Sequence, residues 1–363
     1  HSEAALAAVL ERGLVEEREL QAGSVRDRDE PIIERVDDAE SRSIYLLLRR
    51  LPPRLESVLQ AFRQPGSARA AEQCCQLVEE LQQACERDLD AALAALQIDA
   101  SEDVGSTAAS SLHGALLCEM LARALGMERE RRGRLMCAAL THDLGMFPLA
   151  DSLVRQKLAL SSAQREALQH HTEIGCELLQ EAGVAAEDWL RAVAEHHERI
   201  DGSGYPCGLR GEQISPAARL LALVDIYSAM IRPRAYRDAL PCREVLRELF
   251  LERGKRVDEA LAALFIREIG LFPPGSLVRL QNGEVAMVTR RGASAASPQL
   301  RAVISASGVP VVRPPLRDAS EPCSRIVGCE PVSRYRSVLT RAHELWDDPT
   351  PQGAAQEASV DAP

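Results

Sequence analysis

Apolar residues recur at helical spacing over most of the chain. Ala4, Leu6, Val9, Leu10 and Leu14 open it this way, followed by an almost wholly charged stretch at residues 26–30. A second periodic run, Ile44 to Leu48, stops at Pro52-Pro53, after which Leu55, Val58, Leu59 and Phe62 resume the spacing as far as Pro65-Gly66. The pattern predicts helix, charged loop and helix over residues 1–66. No Gly or Pro occurs from Ala68 to Gln97, and Cys74, Val78, Leu81, Cys85, Leu89, Ala92 and Leu96 fall at steps of three and four. That spacing predicts one continuous stripe on a long amphipathic helix. The stripe carries Ala and Cys where a strong coiled coil would carry Leu or Ile. This favours a helix packed on its own domain over a signalling or dimerising helix.

The helical pattern continues to about residue 270, with loops expected at Gly126, Phe147-Pro148, Gly183, residues 201–211 and Pro233. After Pro273-Pro274 it changes. Residues 277–280 and 284–288 flank Asn282-Gly283, a strong hairpin signal, and residues 300–304 and 309–312 around Gly308 suggest a second hairpin. The tail from about Asp347 lacks apolar periodicity and reads as disordered. The expected organisation is an N-terminal helical regulatory module (1–66), a connecting helix (67–100), a helical domain (101–272), a small β appendage (273–335) and a C-terminal helix or disordered tail (336–363).

Length and composition narrow the function. At about 150 residues per domain, 363 residues suggest two or three domains. A formal net charge of −11 argues against nucleic-acid binding through a broad basic face, and two Trp, five Tyr and five Phe argue against a base-stacking platform. No uncharged apolar run approaches the roughly 18 residues of a membrane span. No signal-peptide pattern is read at the start, which is His1 rather than Met. The ten cysteines contain no CxxC pair; they suit a reducing cytoplasm and read as small buried apolar side chains.

The histidines carry the chemistry. Of eight, six lie between positions 113 and 197: His113, His142, His170, His171, His196 and His197. Asp143 stands beside His142, and Asp225 lies 28 residues beyond His197. Steps of 29, 29 and 25 residues from His113 to His142, His171 and His196 put one ligand-bearing segment on each helix or helix pair, and such segments can converge inside a bundle. Imidazoles with a few carboxylates suit iron, manganese or zinc better than calcium or magnesium. Five His and two Asp exceed the needs of one tetrahedral ion and suit two metals bridged by a carboxylate and water, which points to hydrolysis, most naturally of a phosphate ester. His1, His170 and His343 read as surface or internally satisfied residues, the usual fate of a lone histidine. Spacing alone leaves a dinuclear site and independent structural roles about equally weighted.

Thr141-His142-Asp143-Leu144-Gly145 resembles the signature of the HD phosphohydrolase superfamily. The run from His196-His197-Glu198 through Asp201-Gly202-Ser203-Gly204-Tyr205-Pro206 resembles the hallmark of its HD-GYP branch, the metal-dependent cyclic di-GMP phosphodiesterases. The similarity extends through residues 171–175 and 217–227 and covers about residues 101–272. It implies an HD-type helical bundle in which His113, His142 and Asp225 hold one metal, His171, His196 and His197 the other, and Asp143 bridges them. His142 and Asp143 would be the catalytic pair at a centre where a bridging hydroxide attacks phosphorus in line. Arg234 and Arg237 would contact the substrate phosphates, as two arginines three apart can fork onto phosphate oxygens. Gly204, Tyr205 and Pro206 would line the substrate cleft or a partner-facing loop. The metals implied are iron or manganese, with zinc, nickel and cobalt also accommodated; the partners implied are cyclic di-GMP and, through the Gly-Tyr-Pro loop, a diguanylate cyclase or other signalling protein. A homodimer stays open.

Two positions and one short stretch depart from the family pattern. Met146 stands where a Lys is usual, and one helical turn from His142 it would face the site. Losing such a positive contact commonly costs about 10²–10³ in rate. Ala109 stands where some members carry a Glu for a third metal, and residues 231–233 read Ile-Arg-Pro rather than Thr-Ser-Asp. The expected fold is mainly α, with an N-terminal helical module and a small C-terminal β-hairpin appendage. The expected function is hydrolysis of cyclic di-GMP to the linear dinucleotide or GMP. The alternative, motivated by Met146, is a weakened or inactive receptor on the same scaffold.

Overall fold

The computed structural model describes residues 43–64, 67–102, 107–146, 161–232, 240–292, 294–335 and 339–347. Every described residue belongs to one compact unit, Ser43–Pro363. The helix expected near Ala4–Leu14 therefore lies outside the described residues.

Helix α1 (Ile44–Arg49) is capped by Ser43, whose Oγ accepts from the Leu46 N–H at 3.4 Å. The Pro52-Pro53 pair opens helix α2 (Leu51–Ala61) rather than closing the preceding one. In a first turn no intrahelical partner waits for the N–H that proline lacks.

Helix α3 (Ala68–Glu102) corrects the expectation of an unbroken stripe: at Asp88 the backbone turns extended, with φ −159° and ψ 97°. The Asp88 carboxylate caps the second half by accepting from the Ala91 N–H at 3.0 Å. Cys74, Val78, Leu81 and Cys85 of the expected stripe are buried before the break, and Leu77 is buried with them. Beyond it Ala91 to Leu96 are buried on every side, because helices cover one flank and the β-sheet the other. The stripe thus packs into a single core that runs from Ile44 through the helices to the sheet.

Helices α4 (Thr107–Ala124), α5 (Arg129–Thr141), α6 (Ser162–Glu181), α7 (Glu187–Glu195) and α8 (Pro216–Met230) form the bundle around the histidines. Helix α4 packs on α3, α5 and α8, while α7 packs on α5, α6 and α8. The carboxylate of Glu119, fully buried on α4, accepts with both oxygens from the single Nε–H of Arg132 on α5, at 3.0 and 3.2 Å. Helices α9 (Cys242–Leu251) and α10 (Glu259–Ile269) complete the helical part, and Gly270, at φ 74°, ends α10.

The appendage is a five-stranded antiparallel sheet in the order β4-β3-β2-β1-β5. Strands β1 (Leu277–Leu280) and β2 (Val285–Arg290) form the hairpin expected around Asn282-Gly283, with Gly283 at φ 89°. The second expected hairpin is only partly present. Strand β3 (Gln299–Ile304) pairs with β4 (Leu316–Asp318), while residues 309–312 make one isolated bridge at Pro310, which has no N–H to extend a ladder. Strand β5 (Ile326–Glu330), which the hydrophobic pattern does not announce, covers β1.

Alternate residues of the sheet face opposite ways. Leu277, Val285, Met287 and Val303 join the helical core, and Val278, Leu280, Ala286, Val288 and Leu300 form a small core of their own. Arg290 grips Asp88 at 3.1 and 2.7 Å and Arg291 reaches Asp90 at 2.6 Å, tying the sheet to α3 just past its break. In the short turn Glu344–Asp347, Trp346 stacks on Tyr45 of α1 at 5.6 Å and donates to the Thr289 carbonyl at 2.8 Å.

The expectation that all ten cysteines are buried needs correction. All ten are free thiols, and Cys75, Cys207, Cys323 and Cys329 are exposed. Among the described residues no helix is long and apolar enough to cross a membrane.

Candidate metal centre

Three histidines are oriented by the same local device. The Nδ1 of His142 lies 2.9 Å from the Ala139 carbonyl oxygen and that of His196 lies 2.8 Å from Val193 O; the Nδ1 of His171 contacts Leu168 O. Each partner sits three residues earlier, on the preceding helical turn. A carbonyl only accepts, so each Nδ1 carries a proton and each Nε2 faces inward. His142 and His196 occupy the residues that end α5 and α7, and His171 lies within α6.

These Nε2 atoms converge. His171 and His196 bring theirs within 3.4 Å. His142 Nε2 lies 3.3 Å from Asp143 Oδ2 and 3.7 Å from Asp225 Oδ1, and His171 Nε2 lies 3.8 Å from the other oxygen of Asp143. Two groups of donor atoms result, His171–His196–His197 and His142–Asp143–His196, each within 4.8 Å. His196 belongs to both. His113 stands outside these groups on α4, buried, with no hydrogen-bond partner for its Nδ1.

The electrostatics follow from burial and from this crowding. Burial pulls His142 down, but the Asp143 and Asp225 carboxylates outweigh it and leave its pKa well above the usual value. Burial raises both aspartates, yet the surrounding imidazoles hold them below the ordinary carboxylate range. Burial depresses His196, reinforced by the neighbouring histidines. Burial pulls His197 to about 4, and burial with the nearby Arg232 cation pulls His113 to about 3.

The donor chemistry fits a divalent transition metal. Apart from the proton that His142 shares with its carboxylates, the converging atoms are lone pairs with no hydrogen to place between them. A cation relieves that repulsion, and neutral imidazoles with carboxylates are borderline ligands.

Other site residues take distinct places. Tyr205 lays its ring 4.8 Å from that of His197 at 33°, and the Tyr205–Pro206 peptide is cis. Gly204 has no room for a side chain, since a Cβ there would sit 2.5 Å from Glu198 Cα and 2.6 Å from His197 O. Arg234 and Arg237 lie outside the described residues. Ala109 is buried on α4 and offers no ligand atom. The expectation for Met146 needs correction: α5 ends at Thr141, and Leu144–Met146 is a 3₁₀ turn, so the two residues are not one α-helical turn apart.

Two features of the site carry no signal in a single sequence. Trp189 Nε1 donates to Thr141 Oγ1 at 2.9 Å, locking α7 to the end of α5 just before His142. Glu198, immediately after the histidine pair, is buried at 2% exposure. An acidic residue beside two histidines reads as another ligand candidate or a surface charge, and only the fold reveals what it holds.

Residues 89–261 match the family model of the HD domain. This segment is an HD domain of the HD-GYP family. The chain is 28% identical over 316 residues to the cyclic di-GMP phosphodiesterase PA4108 of Pseudomonas aeruginosa, covering 85% of this chain and 74% of that protein. It is 29% identical over 153 residues to the 3'3'-cGAMP-specific phosphodiesterase 2 of Vibrio cholerae, covering 42% of this chain and 29% of that one. It is 32% identical over 149 residues to the cyclic di-GMP phosphodiesterase response regulator RpfG of Xanthomonas campestris pv. campestris, covering 41% of this chain and 39% of that one.

Proposed function

We propose that this chain is a metal-dependent phosphodiesterase that hydrolyses cyclic di-GMP to the linear dinucleotide, to GMP or to both. The observation that carries the reading is the convergence of three carbonyl-oriented imidazoles, His197 and two aspartates on one point. The similarity to enzymes named as cyclic dinucleotide phosphodiesterases supports the substrate class.

In this reading His113, His142 and Asp225 hold one ion, His171, His196 and His197 hold a second, and Asp143 spans the two. The reach of Asp143 toward His142 with one oxygen and toward His171 with the other supports its bridging place. Iron or manganese fits the mixed nitrogen and oxygen donors. Bound there, divalent metals make water acidic enough to attack at neutral pH and neutralise charge on the phosphoryl oxygens. The chain's part is orientation: backbone carbonyls fix three rings, and Tyr205 covers His197. Gly204 to Pro206 border the substrate, and Arg234 and Arg237 grip its phosphates. Free thiols throughout support a cytoplasmic site of action.

The receptor alternative, motivated by Met146 in place of the usual Lys, is not favoured, because the similar proteins are named as phosphodiesterases. The deciding experiment is anaerobic turnover of cyclic di-GMP by iron- or manganese-loaded protein, with 3',3'-cyclic GMP-AMP and linear dinucleotides as competitors. Metal-dependent product that vanishes in His142→Ala is the expected result. Metal-loaded protein that binds cyclic di-GMP and forms no product would overturn the enzyme reading.

A further inference from the structure

The loop after the histidine pair is closed by one buried carboxylate. Glu198 accepts from the backbone N–H of Cys207 at 2.6 Å through Oε1 and from that of Leu209 at 3.0 Å through Oε2. Burying a carboxylate is costly unless its lone pairs are met, and here they are met by main-chain donors from the far side of the loop. Weaker ties run alongside: Tyr205 N–H to His197 O at 3.3 Å, Gly202 N–H to Arg199 O at 2.8 Å and Gly211 N–H to Ile200 O at 3.1 Å. Gly204 lies directly against Glu198, with no space for a Cβ. The fold of residues 198–211 therefore sets where the Tyr205 ring meets His197.

We propose that Glu198 is a positioning residue: its carboxylate straps the Gly204–Pro206 loop over the histidine cluster and so fixes Tyr205 against His197 at the mouth of the site. The strap itself follows from the geometry; its effect on substrate rests on the phosphodiesterase reading. Gln at this position keeps one acceptor and turns an amide NH₂ toward a backbone N–H, so one bond is lost and two donors face each other. Asp keeps the charge but is one methylene short of bridging both amides.

The test uses the full chain loaded with manganese for kinetics and with cobalt for spectroscopy. In Glu198→Gln the KM for cyclic di-GMP should rise about tenfold with kcat within threefold of wild type and metal content unchanged, and Glu198→Asp should fall between. The cobalt absorption spectrum should shift, because His197 loses its packed ring. Tyr205→Ala should reproduce the KM effect, and the double variant should be no worse than either single one, since the two act in series. An unaltered KM and cobalt spectrum in Glu198→Gln would overturn the proposal, as would multiplicative effects in the double variant. Collapse of the fold and metal content in both Glu198 variants would also overturn it, making Glu198 a determinant of the fold. If the wild-type protein turns over no cyclic dinucleotide, the phosphodiesterase reading fails. The cobalt spectra of Glu198→Gln and Tyr205→Ala then decide the strap alone: a common shift upholds it and an unchanged spectrum rejects it.

Discussion

The Nε2 atoms of His171 and His196 face each other across 3.4 Å while both Nδ1 atoms are committed to backbone carbonyls. His196 cannot gain a second proton there without bringing positive charge into a buried cluster. The metal-free protein should therefore lose stability in acid. His197, His196 and His113 are held below the ordinary imidazole value of 6.5, to about 4 for His197 and about 3 for His113. Between pH 6.5 and 4 the unfolded chain binds protons at these sites and the folded chain does not, so stability is complete above 6.5 and declines as pH falls. His142, shifted upward, opposes this decline only near pH 6.5, where its unfolded form still titrates, and Asp143 and Asp225, shifted downward, reinforce it only near pH 4. The expected result is a urea midpoint for the chelator-treated protein that drops steadily from pH 6.5 to 4.5. A flat midpoint over that range would show that the histidines are not buried as neutral rings.

Gly145 tests how closely α6 must approach the His142–Asp143 turn. A Cβ at this position would overlap the His171 carbonyl oxygen and sit 2.9 Å from Gly175 N. Both neighbours are main chain and cannot swing aside. Gly145→Ala should cost about 1–3 kcal/mol and push His171 away from Asp143. Equilibrium unfolding and metal titration together check this, and a variant with wild-type metal affinity would contradict it.

Much of this arrangement is legible before any fold is known. The histidine spacing, the His-Asp and His-His pairs and the family resemblance point to His113, His142, Asp143, His171, His196, His197 and Asp225; the last six lie close together, while His113 stands outside the groups of converging donor atoms. The Asn282-Gly283 hairpin is equally plain, because the turn geometry needs the positive φ that Gly283 adopts. The break at Asp88 is not legible, since the Arg290 that grips it lies 202 positions away in the chain and only tertiary packing pairs them. The end of α5 at Thr141 is hidden for a similar reason: the residues that follow are fit for helix, and Gly145 marks the close approach only once α6 is in place. Burial of Glu198 has no periodic signature at all.

The Glu119–Arg132 pair fixes the helix of His113 to the helix that ends at His142. Glu119 is wholly buried and Arg132 also donates to the Met127 carbonyl at 2.7 Å. Removing one partner strands the other charge, so Glu119→Ala should destabilise the fold by about 3–5 kcal/mol. Replacing both by apolar residues of similar size should restore most of it. Urea unfolding of the single and double variants checks the pair, and a single variant within about 1 kcal/mol of wild type would remove it as a fastener.

Met146→Lys tests whether the missing cation limits turnover. A Lys one α-helical turn after His142 would point with it into the site, and there a positive charge commonly contributes about 10²–10³ in rate. The chain makes no such turn, because α5 stops at Thr141 and the Met146 N–H closes a tighter loop onto the Asp143 carbonyl at 2.9 Å. In a 3₁₀ segment residues three apart eclipse, so a residue four beyond His142 is rotated away from it. Met146 is also half-buried, a setting that fits a flexible apolar side chain better than an ammonium. The variant should change kcat for cyclic di-GMP by less than threefold in the manganese-loaded protein and lower its thermal midpoint slightly. A rise approaching 10²-fold would mean that the side chain does reach the substrate, and that the native chain is a slow enzyme for want of that charge.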